Sequence, residues 1–139
     1  MSVFDTIRIA ASGLTAQRLR MDIAASNLAN AESTRTGGGQ AGQPYQQQAA
    51  VFQAQQMGPM SAAKGVVAVA IVEPPRPNGR VYDPNNPDAD TNGFVNYPNV
   101  DVASEMTDMM GAARSYQVNA TVAQAAKQQA LDALDLGRG

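Results

Sequence analysis

Two stretches decide the fold: Val3–Asn30, VFDTIRIAASGLTAQRLRMDIAASNLAN, and Asp101–Leu136, DVASEMTDMMGAARSYQVNATVAQAAKQQALDALDL. In the first, an apolar ladder runs Phe4, Ile7, Ala11, Leu14, Arg18, Met21, Ala25, Leu28. In the second it runs Val102, Met106, Met109, Ala113, Tyr116, Ala120, Ala123, Lys127, Ala130, Leu134. Both step by alternating threes and fours, the spacing of a coiled-coil seam, and each is broken by one cation, Arg18 or Lys127. Two long helices at opposite ends of a chain can pair with each other or with copies in neighbouring molecules. Either way the chemistry they supply is packing, which points to an assembly protein and away from an enzyme.

Composition narrows the function classes further. The 139 residues suit one domain, elongated because its helices are long. Hydrophobic residues make up 44%, but aromatics only 5%, and tryptophan is absent. Much of the apolar content is alanine, which buries little area per residue, so the stable object is expected to be an assembly. The formal net charge is −2 and the sequence pI about 4.9, with no basic patch, so nucleic acid is not an expected partner. Neither cysteine nor histidine occurs, which removes disulfides, thiol nucleophiles, imidazole bases and most zinc sites together. No cofactor and no small-molecule substrate are expected. The start of the chain, MSVFDTIRIAASGL, carries Asp5 and Arg8 where a cleaved signal peptide needs an apolar run. No stretch approaches the roughly 18 apolar residues of a membrane span.

The chain divides into a helix over 1–30, a flexible linker over 31–43, a small β-rich insert over 44–99 and a helix over 100–139. The fold class is α+β: an antiparallel coiled coil of terminal helices with strands inserted between them. Ser2 and Asp5 form a weak capping box for the first helix, which at about 1.5 Å per residue is about 40 Å long. Gly37, Gly38 and Gly39 mark the linker as slack. Within the insert, Tyr45–Gln53 and Gly65–Glu73 read as strands, the second stopped by Pro74, Pro75 and Pro77. Asn78-Gly79 and Asn92-Gly93 read as turns flanked by the short apolar pieces Val81-Tyr82 and Phe94-Val95. Asp101 and Glu105 place negative charge at the start of the second helix, and Gly137 stops it.

A hairpin with Phe4 opposite Leu134 sets Arg18 opposite Ala120 and Lys127 opposite Ala11. Each cation then faces a methyl group with room to extend its head outward; equally, both cations can lie at the edge of the seam. Both helices also carry apolar residues off the ladder: Ile9, Ala16, Leu19 and Ile23 on the first, Val118, Val122 and Ala125 on the second. Two stripes imply burial on two sides, as in a multi-chain bundle or tube. The alternative is that the insert folds back over the second stripe, but a module of this size is expected to cover only part of it.

Two motifs invite a chemical reading. Asp88-Ala-Asp90-Thr-Asn92-Gly93 matches the first half of a calcium loop, with Val95 at its apolar eighth position. The twelfth position, which should be a bidentate glutamate, is Asn99, and Pro84, Pro87 and Pro98 oppose flanking helices. The segment therefore reads as an acidic turn between short strands, with no metal. Asp83, Asp88 and Asp90 form no general acid/base pair, because a Pro/Asn/Gly-rich loop cannot bury and separate two carboxylates. The clustered Met106, Met109 and Met110 read as packing residues.

Other residues carry a resemblance. Ala11-Ser12-Gly13-Leu14-Thr15-Ala16 followed by Ser26-Asn27-Leu28-Ala29-Asn30 resembles the N-terminal signature of bacterial flagellar rod and hook axial proteins. Val81-Tyr82-Asp83-Pro84, Pro87-Asp88-Ala89-Asp90, Gly93 and Tyr97-Pro98-Asn99-Val100-Asp101 resemble, more narrowly, the proximal-rod members of that family. Arg114-Ser115-Tyr116-Gln117-Val118-Asn119-Ala120 matches the family's C-terminal helix as well. Gln46, Gln47 and Gln48 depart from it, since basic residues are usual after Pro44-Tyr45.

The resemblance implies a structural subunit of the basal-body rod. Such a subunit self-associates through its terminal helices into a helical tube that links the inner-membrane ring to the distal rod and hook. The implied partners are other copies of itself, other rod proteins, inner-membrane ring components and, during secretion, the flagellar type III export apparatus. The implied place is the periplasmic rod, reached without a cleaved signal. The rival reading, a coiled-coil adaptor or filament subunit of a non-flagellar assembly, gives no reason for the segment between Tyr82 and Asp101.

Overall fold

A computed structural model of the chain describes residues 3–35, 43–58 and 63–137. Six elements follow one another: α1 (Val3–Ala29), β1 (Ala49–Gln56), β2 (Lys64–Val72), β3 (Gly79–Tyr82), β4 (Phe94–Tyr97) and α2 (Val102–Leu136). The α+β class holds, with two long helices at the ends and strands between them.

α1 runs its 27 residues without proline, and a side chain ends it. The Asn30 amide donates to the Ser26 carbonyl at 2.9 Å, and the Asn30 carbonyl accepts from the Ser33 backbone at 3.1 Å. The expected capping residue Ser2 lies outside the described residues; Asp5 instead pairs with Arg8 at 2.6 Å, one turn on. α2 opens as its sequence implies. The Asp101 carboxylate accepts from the backbone of Ala103 at 3.0 Å and Ser104 at 3.3 Å, satisfying two of the free amides of the first turn.

The insert forms two separate two-stranded antiparallel sheets, β1–β2 and β3–β4. β1 pairs with β2 from Ala49↔Val72 to Gln56↔Lys64, with a bulge at Val51/Phe52. β1 thus starts four residues later than the expected strand, because Tyr45, Gln47 and Gln48 anchor the chain to the helices (below). β3 pairs with β4 from Gly79↔Tyr97 to Tyr82↔Phe94. Asn78-Gly79 is therefore no hairpin turn: Gly79 is the first residue of β3. The loop between β3 and β4 closes on Gly93, whose φ of +80° only glycine adopts without strain.

The β1–β2 hairpin lies along α1. Near one end of the helix the Asn27 side chain binds Gln48, and near the other the Arg8 guanidinium donates to the Met57 carbonyl at 3.3 Å. The nineteen helical steps from Arg8 to Asn27 span about 29 Å, and the nine extended steps from Gln48 to Met57 span about 30 Å. A strand covers twice the length per residue that a helix does. This is why a small insert reaches nearly the whole of α1, contrary to the expectation of partial cover. Among the described residues no helix is long and apolar enough to cross a membrane.

Candidate functional site

For an assembly protein the site is the paired helices and the junctions that hold the insert on them. α1 and α2 are antiparallel: Gly13 meets Asn119, and further along α1 the Arg20 guanidinium bonds both carboxylate oxygens of Asp108. In the register expected from the sequence, Gly13 would face Ala125 and Arg20 would face Val118. The real register slides α1 toward the start of α2, where the polar pair Arg20–Asp108 and the Gly13–Asn119 contact fix it. An alanine-rich seam has no bulky knob to set register, so these pairs do.

The face of the seam also differs. On α1 the buried residues are Ala10, Ala16, Ile23, Ala24 and Asn27; on α2 they are Glu105, Ala112 and Ala126. Ala16 and Ile23 belong to the second stripe of the sequence, not to the ladder. Within the chain, the ladder positions Phe4, Ala11, Arg18 and Ala25 are exposed, and Ile7, Leu14, Met21 and Leu28 are half-buried. On α2, Val102, Met106, Tyr116, Lys127 and Leu134 are exposed, while Met109, Ala113, Ala120, Ala123 and Ala130 are half-buried. On α1 the second stripe thus turns inward and the ladder is left largely outward; on α2 the second-stripe residues Val118, Val122 and Ala125 are exposed too, and the buried Ala112 and Ala126 belong to neither row.

Four N-terminal motif residues hold this arrangement together. The Ser12 hydroxyl donates to the Ile9 carbonyl at 2.7 Å and accepts the Val66 backbone amide at 3.1 Å, pinning β2 to α1. Gly13 provides close approach, since a Cβ there would stand 2.7 Å from the Asn119 amide nitrogen. Asn27, 1% exposed, acts as a third strand for Gln48. Its Oδ1 accepts the Gln48 amide and its Nδ2 donates to the Gln48 carbonyl, each at 2.9 Å. The Tyr45 hydroxyl adds a third bond to Asn27 Oδ1, also at 2.9 Å. Asn30 ends the helix, as described. Gly65, which sequence reading passed over, is equally constrained: a Cβ there would collide with the Met57 side chain and stand 2.7 Å from Ser12 Oγ.

The second motif builds the β3–β4 loop. Tyr82 and Phe94 meet edge to face with centroids 5.3 Å apart, and the Arg80 guanidinium lies 4.9 Å from the Phe94 centroid. A Cβ on Gly93 would stand 2.9 Å from the Tyr82 ring and 3.3 Å from Pro84. The backbone of Asp83 donates to the Gly93 carbonyl at 3.0 Å, and Asn99 donates to the Pro77 carbonyl at 2.9 Å. Val95 is fully buried.

The carboxylates of this loop hold protein groups. Asp90 Oδ1 accepts the backbone amides of Asn92 and Phe94 at 2.8 and 2.9 Å, and its Oδ2 takes Arg80 at 2.7 Å. The Phe94 amide is the main reason its acidity is raised, with the carboxyl held below the usual range. Asp88 accepts the Arg35 guanidinium and, at 2.5 Å, the Thr34 hydroxyl. Hydrogen bonding from Arg35, then from Thr34, likewise lowers its pKa. Thr34 and Arg35 fall in the segment read as slack linker, so that part is ordered by Asp88. Residues 36–42, which include the glycine run, lie outside the described residues. A threonine and an arginine within a glycine-rich tract, and an acid more than fifty residues on, gave no local signal of this latch.

Comparison with known proteins agrees with the motifs. A family model described as "Flagella basal body rod protein" matches residues 7–35, and one described as "Flagellar basal body rod FlgEFG protein C-terminal" matches residues 91–136. The chain is 44% identical over 138 residues to the flagellar basal-body rod protein FlgC of Salmonella typhimurium, covering 99% of this chain and all of that one. The FlgC of Bacillus subtilis is 36% identical over 151 residues, again at 99% and 100% coverage. This chain belongs to the FlgC family of flagellar basal-body rod proteins. A FlgC-family chain is a structural rod protein and not an enzyme, which agrees with carboxylates committed to capping, latching and turn formation.

Proposed function

We propose that the chain is a structural subunit of the bacterial flagellar basal-body rod, acting by packing against other rod proteins. The observation that carries this is its full-length relation to FlgC proteins of three quite different bacteria, at 44% in Salmonella typhimurium, 36% in Bacillus subtilis and 34% in Borreliella burgdorferi. The outward ladders support it. Phe4 is 70% exposed and Leu134 66%, and Met106, Met110, Val118 and Val122 are exposed beside them. Apolar rows of this length on a monomer mark an interface.

In this reading the ladders pack between subunits in a helical tube together with the exposed Val118 and Val122, the second stripe of α1 packs within each subunit, and 44–99 is the module that each subunit carries beside its helices. Inner-membrane ring components and the flagellar export apparatus are the further partners, and export proceeds without a cleaved signal. No observation favours the non-flagellar adaptor. Removing the chain from its own bacterium should abolish swimming, and an epitope-tagged copy that restores swimming should co-purify with basal bodies stripped of hook and filament. A tagged copy that restores swimming but stays out of purified basal bodies overturns the assignment.

A further inference from the structure

A cavity of about 500 Å³ opens where α1, α2 and the β1–β2 hairpin meet. Its walls include Gln17 and Arg20 of α1, Gln47 and Ala50 of the hairpin segment, and Glu105 and Asp108 of α2. Arg20 is committed to Asp108, so that pair is neutral. Glu105 is 8% exposed, takes part in no ion pair among the described residues, and has one described side-chain partner, the Gln47 amide nitrogen at 2.5 Å. That bond fixes which way the Gln47 amide points, so Gln47 Oε1 is the end left without a partner. Gln17 Oε1 is buried on the same cavity and also has no partner. One carboxylate and two carbonyl oxygens thus face a single space as acceptors; among the described residues no cation pairs with the carboxylate and no donor answers the two carbonyl oxygens.

Buried acceptors without donors, and a buried carboxylate without a cation, are costly to leave so. The group that answers all three carries positive charge and only donors. A guanidinium has five N–H donors in a planar fork and gives up its water more readily than an ammonium does. Resting on the rod-subunit reading, we propose that this cavity receives an arginine side chain from a second copy of the chain. Arg18, Arg76 and Arg114 make no described hydrogen bond or ion pair, and Arg18, Arg76 and Arg114 are all exposed, so each copy has guanidinium groups to offer.

The test uses the full chain, isotopically labelled, titrated with Nα-acetyl-arginine amide, Nα-acetyl-lysine amide and Nα-acetyl-glutamine amide. The arginine probe should shift the side-chain amides of Gln17 and Gln47 and the backbone of Ser104–Asp108 saturably. Lysine should bind at least threefold more weakly, and glutamine should leave them unmoved. Glu105→Gln, which can still accept from Gln47, should abolish the response, and Ala50→Arg, which brings a guanidinium to the cavity from within, should block it. Equal responses to arginine and glutamine overturn the inference, since the cavity is then only hydrated; tighter binding of lysine overturns the choice of guanidinium. The source is tested in flagellated cells by a photo-crosslinking residue at Ala50. An adduct of twice the chain's mass, mapping to the peptide around Arg18, Arg76 or Arg114, is expected; an adduct confined to a different rod protein overturns the second copy. Failure of the rod reading is separate, since it shows as absence of the chain from basal bodies.

Discussion

Asn27 illustrates how single side chains do the work of a missing strand. It satisfies both backbone groups of Gln48 and takes the Tyr45 hydroxyl, all at 2.9 Å. Asn27→Ala leaves a buried amide and carbonyl with no partner, and should lower stability by about 2–4 kcal/mol in urea unfolding of the monomer. Asp88 works at longer range, holding residues 34 and 35 against the β3–β4 loop. Because its pKa is lowered in the folded chain, the latch is fully present above the unfolded carboxylate value and is lost as pH falls through the folded one. Amide exchange at residues 31–35 should therefore be flat from pH 7 to 5 once corrected for intrinsic rates, and should rise only below about pH 4. Asp88→Asn should show the loosened exchange already at pH 7; protection unchanged in that variant would mean the latch holds nothing. The sequence displayed both residues in motifs but not what they bind, because each partner is a backbone group or side chain brought close only by the fold.

At the scale of elements, the helices were legible from their periodicity and ends, to within one or two residues. Their facing was not. Each helix carries two stripes, and both stripes mix alanine with large apolar residues, so side-chain size does not say which one turns inward. The choice was made by polar groups that a hydrophobic pattern skips: Arg20 with Asp108, Asn119 over Gly13, and Glu105 with Gln47. The same structure separates folding from assembly. Ala112 is fully buried on α2, so Ala112→Asp should cost the monomer several kcal/mol and collapse its thermal transition. Leu134 lies outward, so Leu134→Asp should change monomer stability by less than about 0.5 kcal/mol yet stop rod assembly and swimming. If Leu134→Asp assembles normally, the ladder is not a subunit interface over its last turns.

The whole molecule has large surfaces and a thin interior. Of the eight buried apolar side chains described, six are alanine, and the other two are Ile23 and Val95. Meanwhile Val66, Val69 and Ile71 on the hairpin and a row of residues along α2 remain exposed. The α+β outline and the assembly role could be read from composition and spacing alone, since both follow from long helices with more apolar stripe than one partner can cover. The insert's reach along α1 could not, because it depends on the two elements' different rise per residue and on anchors at Ser12 and Asn27. An interior made mainly of methyl groups buries little area, so the isolated chain should be marginal, with an unfolding free energy below about 5 kcal/mol. Circular dichroism of the dilute chain should show helices that melt broadly and below about 45 °C. Raising the concentration should sharpen the transition and move it upward, because burial of the outward ladders then adds to the stability of each copy. A sharp melt at high temperature that ignores concentration would mean that the alanine seam suffices alone, and that the exposed ladders contribute to assembly without being needed for the fold.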